Sequence, residues 1–139
     1  VAFLIPTDKS SRFSAAVWIF IGLVMDRLTP HLLSLSEWDQ EYARFAWYTT
    51  WSAFNTLTIL IIWVWHQKAQ WQLSSLTKFI GASCLAMVCL QTLRLMDRLL
   101  FNTDLLAGVY KFGVPTLTIA VIGAIVIWAA SSVKRKAVA

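Results

Sequence analysis

Four long runs of apolar positions, divided by short polar stretches, organise this chain. The first covers residues 13–35 and begins FSAAVWIFIGLVM. The second, 45–65, reads FAWYTTWSAFNTLTILIIWVW. The third, 79–100, contains FIGASCLAMVCLQTL, and the fourth, 109–130, contains GVPTLTIAVIGAIVIWAA. Each run is about twenty residues long, the length a helix needs to cross a hydrocarbon layer about 30 Å thick. The pattern predicts an all-α integral membrane protein with four transmembrane helices in one domain, residues 1–139. Asp26 and Arg27 interrupt the first run. Lys9 and Arg12 precede its thirteen-residue apolar core as in a signal peptide, but no small-x-small cleavage site follows, so a retained helix is expected. The longest connection, TPHLLSLSEWDQEYAR, has room for a short interfacial helix.

Composition supports the class. Of 139 residues, 58% are hydrophobic and 14% charged, against about a quarter charged in soluble domains. The net charge of +5 would suit nucleic acid if it lay on one patch, but its distribution is topological. With both termini in the cytoplasm, that side holds Lys9, Arg12, Lys68, Lys78, Lys134, Arg135 and Lys136 against Asp8 alone. The far side mixes Arg27, Arg44, Arg94, Arg98 and Lys111 with Asp26, Glu37, Asp39, Glu41, Asp97 and Asp104. That bias follows the positive-inside rule and excludes nucleic acid as the partner. The expected setting is the bacterial inner membrane, with lipid contacts along the helices and the basic tail against anionic headgroups. Two aromatic belts fit the frame: Trp47, Tyr48 and Trp51 at the outer end of span two, and Trp63, Trp65, Trp71 and Trp128 at the inner ends of spans two and four.

Candidate chemistry is sparse. Cys84 and Cys89 are five apart on one helix and point away from each other, so they read as small buried hydrophobes and not as a disulfide or metal pair. His31 and His66 fall at opposite ends of the helices, which disfavours a bis-histidine haem held by this chain alone and leaves one shared with a partner as the alternative. Each reads as a solvated interfacial histidine. No phosphate loop, zinc-helix or nucleophile-elbow motif occurs, so no metal, cofactor or catalytic residue is assigned and enzyme activity is not expected.

Polar side chains near mid-membrane are the first candidate site. Asn55 lies roughly 13 Å below the outer edge of span two. Thr118 and Gln91 fall at a similar depth in spans four and three. Thr49, Ser52 and Thr56 follow helical spacing along one face of span two, flanked by Asn55. In lipid such groups need partners, so they are expected to face other helices or another subunit, as interhelical glue or as a small polar midplane site. Pro115 either frees the carbonyl of Lys111 inside span four or sits in the first turn of a helix beginning near Gly113.

The second candidate is a phrase written twice. GLVMDRLTPH and LRLMDRLLFN place Met-Asp-Arg-Leu at the ends of spans one and three, seventy-one residues apart. The same offset aligns Ala15 with Ala86 and Val17 with Val88. Read as a duplication, it describes two tandem helix hairpins related by a pseudo-two-fold along the membrane normal. Adjacent residues on a helix diverge, so Asp26 cannot serve Arg27. Arg94 and Asp97, three apart, can pair within span three. The symmetry would bring Asp26 to Arg98 and Arg27 to Asp97, clasping spans one and three. A clasp is favoured over a proton relay because a carboxylate beside an arginine stays ionised. Coincidence and a contact surface for another subunit are the remaining readings.

The fragment WDQEYAR, Trp38–Arg44, resembles the W-x-x-E-x-A-[RK] lead into the second helix of small subunits from tripartite substrate-binding-protein-dependent transporters. Those are four-helix accessory scaffolds to a larger transport subunit, and the resemblance implies the same role here. The helix that follows departs from that pattern, being rich in Trp and Thr and lacking the family's charged segment. The expected function is therefore an accessory or scaffold subunit of a larger membrane complex, of transport or respiratory type. The alternative is a self-contained small transporter or channel working as a homo-oligomer. A membrane-disrupting or immunity-type protein is a third, more distant reading.

Overall fold

A computed structural model describes residues 6–101 and 104–138 as four helices: α1, Pro6–Ser34; α2, Gln40–Ala69; α3, Ser75–Leu99; and α4, Ala107–Val138. The side chains of Asp8, Arg135 and Lys136, which carry part of the predicted charge bias, lie outside the described residues. All four helices outrun the apolar stretches that predicted them, because their polar ends are also helical. α2, at 30 residues, is about 45 Å long.

Local chemistry sets the ends. Asp39 caps α2, its Oδ1 accepting from the backbone N–H groups of Glu41 and Tyr42 at 3.0 and 3.3 Å. Most of the WDQEYAR fragment is thus a helix start. α1 instead runs on through Pro30 to Ser34, and only a single 3₁₀ turn, Leu35–Glu37, occupies the connection where an interfacial helix was expected. α2 stops where Gln70 adopts the left-handed conformation, φ 55°. Gln70 and Trp71 both donate their N–H to the carbonyl of His66, which closes the end. Ser74 caps α3, its Oγ accepting from Thr77 N–H at 3.2 Å.

The helices run up and down. The start of α1, the end of α2 and the start of α3 meet at one end, called proximal here. The end of α1, the start of α2, the end of α3 and the start of α4 meet at the distal end. Between them lies a slim apolar core of Ile62, Leu76, Ile80, Cys84 and Val121, edged by Val17, Trp18, Ile59, Ala124, Ile125 and Trp128. The exterior is at least as apolar as the interior. Phe20 is 64% exposed and Ile127 68% exposed, while Ser10, Asn55, Thr58, Thr77, Gln91 and Asp97 are buried. Water would not tolerate that inversion over so much surface, and lipid favours it.

Three helices, α1, α3 and α4, are long and apolar enough to cross a membrane. The expected fourth span, α2, is not among them. Its centre carries Trp51, Ser52, Asn55, Thr56 and Thr58, whose polar atoms lower its hydropathy. Pro115 lies inside α4, eight residues from its start, so its missing N–H leaves the carbonyl of Lys111 without its helical donor. Of the cysteines, both free, Cys84 is buried as expected and Cys89 is exposed on the outer surface. The aromatic belts are also redistributed. Trp63 and Trp65 face outward, but Tyr48 and Trp51 are buried, edge-on to Tyr110 and Trp47. Trp128 packs against the core.

Candidate functional site

Two polar networks occupy the two ends of the bundle, and the sequence reading anticipated only part of one. At the distal end, Arg94 sits on the inner face of α3. Its Nη1 donates to Asp97 Oδ2 at 2.8 Å and its Nη2 to Asp104 Oδ1 at 3.0 Å; Arg98 Nη1 donates to the same Asp104 oxygen at 2.7 Å. Asp97, itself buried, also accepts the N–H of Leu106 at 3.2 Å. Two guanidinium groups and two carboxylates thus fasten the α3–α4 connection back onto α3. Above them, Tyr110 donates to Gln91 Oε1 at 3.1 Å and accepts from Trp47 Nε1 at 3.2 Å, tying α4 to α3 and α2. Beside Asp97 lies an apolar cavity of about 540 Å³ walled by Leu93, Met96, Phe101, Leu105 and Leu106.

The clasp expected from the repeated phrase does not form. Arg98 turns to Asp104, and Asp97 is engaged by Arg94 and the α3–α4 connection. Asp26 and Arg27 are exposed on the outer side of α1 and make no hydrogen bond or ion pair among the described residues. The pseudo-symmetry fails because the two copies have different sequels: α1 continues for two further turns after its copy, whereas α3 ends at once and is followed by Asp104.

Asp104 is exposed, yet Arg94 and then Arg98, by hydrogen bonds, hold its carboxyl below the usual carboxylate range. A carboxyl depressed in the folded state contributes its anchoring fully above the unfolded value, about 3.9. That anchoring is lost as pH falls through the lower folded value. Amide hydrogen exchange at Leu106 and Ala107, corrected for intrinsic rate, should therefore show protection above about pH 4 that disappears on further acidification. In Asp104→Asn the protection should be weak and flat across the same window. An identical pH step in the variant would remove Asp104 as its cause.

At the proximal end the structure reveals a site that sequence reasoning missed. Ser10, Ser11 and Ser14 of α1 meet His66 of α2 and Ser74 and Thr77 at the head of α3. One assignment of protons satisfies the group. His66 Nδ1–H donates to the Ile62 carbonyl at 2.7 Å, which leaves Nε2 to accept from Ser10 Oγ at 2.7 Å. Ser10 accepts from Thr77 Oγ1 at 2.8 Å and from Ser74 N–H at 3.2 Å. Thr77 accepts from Ser14 at 2.8 Å and Ser74 at 2.9 Å, and Ser74 accepts from Ser11 at 2.7 Å. The chain Ser11, Ser74, Thr77, Ser10, His66 runs in one direction with no stranded hydroxyl. His66 is therefore no solvated interfacial residue; it is buried beneath Trp71, whose ring stands edge-on to it at 5.8 Å. Ser10 and His66 have a nucleophile's spacing, but Ser10 is 0% exposed and is held on every side, so the pair locks helices and offers nothing to a substrate.

The predicted midplane site is brought together only in part. Asn55 and Thr118 line a space of about 20 Å³ with Ser83, Trp18 and Met87, room for about one water. Asn55 Nδ2 donates to the Trp51 carbonyl at 2.8 Å and Thr118 Oγ1 to that of Val114 at 3.0 Å. Gln91 belongs to the distal network. Thr49 and Thr56 are exposed and Ser52 half-buried, so the stripe turns away from the other helices; Thr58, buried and unpredicted, takes the inner place.

No known protein family, curated protein or solved structure matches this chain. No group of His, Cys, Asp and Glu able to hold a metal occurs among the described residues.

Proposed function

We propose that this chain is a subunit that packs into a larger membrane assembly, with α2 crossing the membrane beside the other three helices and both termini in the cytoplasm. The observation that carries the proposal is the outward pair Asp26–Arg27. Asp26 lies fourteen residues beyond Arg12 on the same helix, a rise of about 21 Å. With Arg12 at one headgroup layer, Asp26 falls inside a hydrocarbon core about 30 Å thick. Arg27 can stretch toward the headgroups, but an aspartate is too short to do so. Pro30 adds to the demand, because it withholds the N–H that the Asp26 carbonyl would accept in an unbroken helix. A charge at the centre of a spanning helix costs about 3 kcal/mol on insertion scales, and no partner for Asp26 occurs among the described residues. A basic and hydrogen-bonding surface on another subunit would supply one.

The two ends of the bundle support the same reading. Their polar groups bond mainly to one another, and the midplane space of about 20 Å³ between them has room for about one water, so the described residues form no continuous polar route for a solute. The outward stripe of exposed Thr49 and Thr56 and half-buried Ser52 favours a second reading, in which copies of the chain assemble around a path lined by that stripe.

Native purification in mild detergent tests the choice. The chain should come with a larger membrane protein in fixed stoichiometry, and Asp26→Ala with Arg27→Ala should release it without lowering its own melting temperature. A homo-oligomer that moves a solute in liposomes would favour the second reading. Retention of the partner by the double variant would remove Asp26–Arg27 as the contact.

A further inference from the structure

A cavity of about 250 Å³ opens at the proximal end, built almost wholly from the last turns of α2 and the chain that follows. Its walls are Trp63, His66 and Trp71, and its polar lining is three glutamines, Gln67, Gln70 and Gln72. The left-handed backbone at Gln70 throws the chain back so that Trp71 stands over His66, with the glutamines around the mouth. The side-chain amide of Gln70 donates from Nε2 to the Gln67 carbonyl at 2.9 Å. The side-chain amides of Gln67 and Gln72 are exposed and make no hydrogen bond among the described residues.

From this lining we infer that the cavity binds a neutral polyhydroxyl ring, such as a sugar headgroup. Amides pair a donor with an acceptor, which is what vicinal hydroxyls require of a partner. Aromatic faces carry the negative end of the ring quadrupole and take the C–H face of a pyranose. No arginine, lysine or carboxylate lines the space, so neither a phosphate nor an ammonium group would find a counter-charge. The volume lies just under the usual range for ligand pockets, about 300–1,000 Å³, and suits one ring. Exposed Trp63 and Trp65 flank this end, so the ring can arrive on a glycolipid or free from solution.

The experiment uses the full chain in a detergent without a sugar headgroup, because alkyl glucosides would occupy the site. Native mass spectrometry compares monoglucosyl diacylglycerol with phosphatidylglycerol, phosphatidylcholine and diacylglycerol of the same acyl chains. Two open amides predict about a tenfold preference for the glucosyl lipid. Gln67→Leu with Gln72→Leu should bring that preference close to parity at an unchanged melting temperature, and Gln72→Leu alone should lower it about threefold. Displacement of the bound glycolipid by excess methyl glucoside would identify a free sugar as sufficient; no displacement would assign the site to the lipid. Parity in the native chain, preference for phosphatidylcholine, or a preference that survives both substitutions would overturn the inference.

Discussion

Replacing Arg94 with methionine should be among the most damaging single changes in the protein, lowering stability by about 3–5 kcal/mol. Arg94 is 9% exposed and its partner Asp97 4% exposed. Removing the guanidinium leaves the Asp97 carboxylate buried with its charge uncompensated, and frees Asp104 from one of its two arginines. Most of the loss is the penalty of a stranded charge and not the net worth of the pair. The double variant Arg94→Met with Asp97→Asn should therefore recover a large part of what Arg94→Met loses. Unfolding in mixed micelles of the native chain, both single variants and the double variant checks this as a thermodynamic cycle. Additive losses would mean that Arg94 and Asp97 act independently. Arg98→Met is the control: among the described residues Arg98 pairs with the exposed Asp104 alone, so its loss should fall within about 1 kcal/mol.

That contrast shows what a sequence can and cannot disclose in a membrane bundle. The four helices are legible because lipid demands long apolar runs, and i,i+3 spacing makes an Arg94–Asp97 pair imaginable from the letters alone. The partner of Arg98 was not legible from the repeated phrase, because duplication argues from symmetry while the pair is decided by the loop. Asp104, six residues beyond Arg98, folds back onto α3 only once the connection closes. The expected ends of the spans were short for a related reason. Hydropathy fades where Ser10, Ser11 and Ser14 begin, yet their hydroxyls bond across helices as readily as apolar groups pack.

The proximal site was hidden for the same cause. A serine is nearly neutral on any transfer scale, so Ser10 and Ser14 look like solvated helix ends. The available signal was their four-residue spacing, which places them on one face of α1. It becomes informative only when paired with His66 and with the Ser74 and Thr77 cap of α3; the spans put these three segments on one side of the membrane, but nothing in the linear pattern says that their polar side chains meet there. Trp51 and Tyr48 were misplaced in the opposite direction. Aromatic residues near a span's end suit an interfacial belt, but these two lie on the α2 face that Tyr110 and Trp47 cover.

Thr77→Val, which keeps shape and removes one hydroxyl, should cost about 2 kcal/mol, well above the average of about 0.6 kcal/mol for an interhelical hydrogen bond in a membrane protein. The reason is connectivity. Thr77 Oγ1 accepts from Ser14 and Ser74 and donates to Ser10, so one substitution disturbs three helix-linking hydroxyls. Ser10 then keeps its bond to His66 but lacks one of its two donors. Ser11→Ala is the contrasting case. It removes only the outermost donor of the chain, strands no proton, and should cost about 0.5 kcal/mol. Thr77→Ser restores the hydroxyl and should lie near the native chain. Thermal unfolding of the three variants in one detergent separates the readings. If Thr77→Val and Ser11→Ala lose equal stability, the hydroxyls act as separate contacts and the directional chain through Thr77 does not hold the proximal end together.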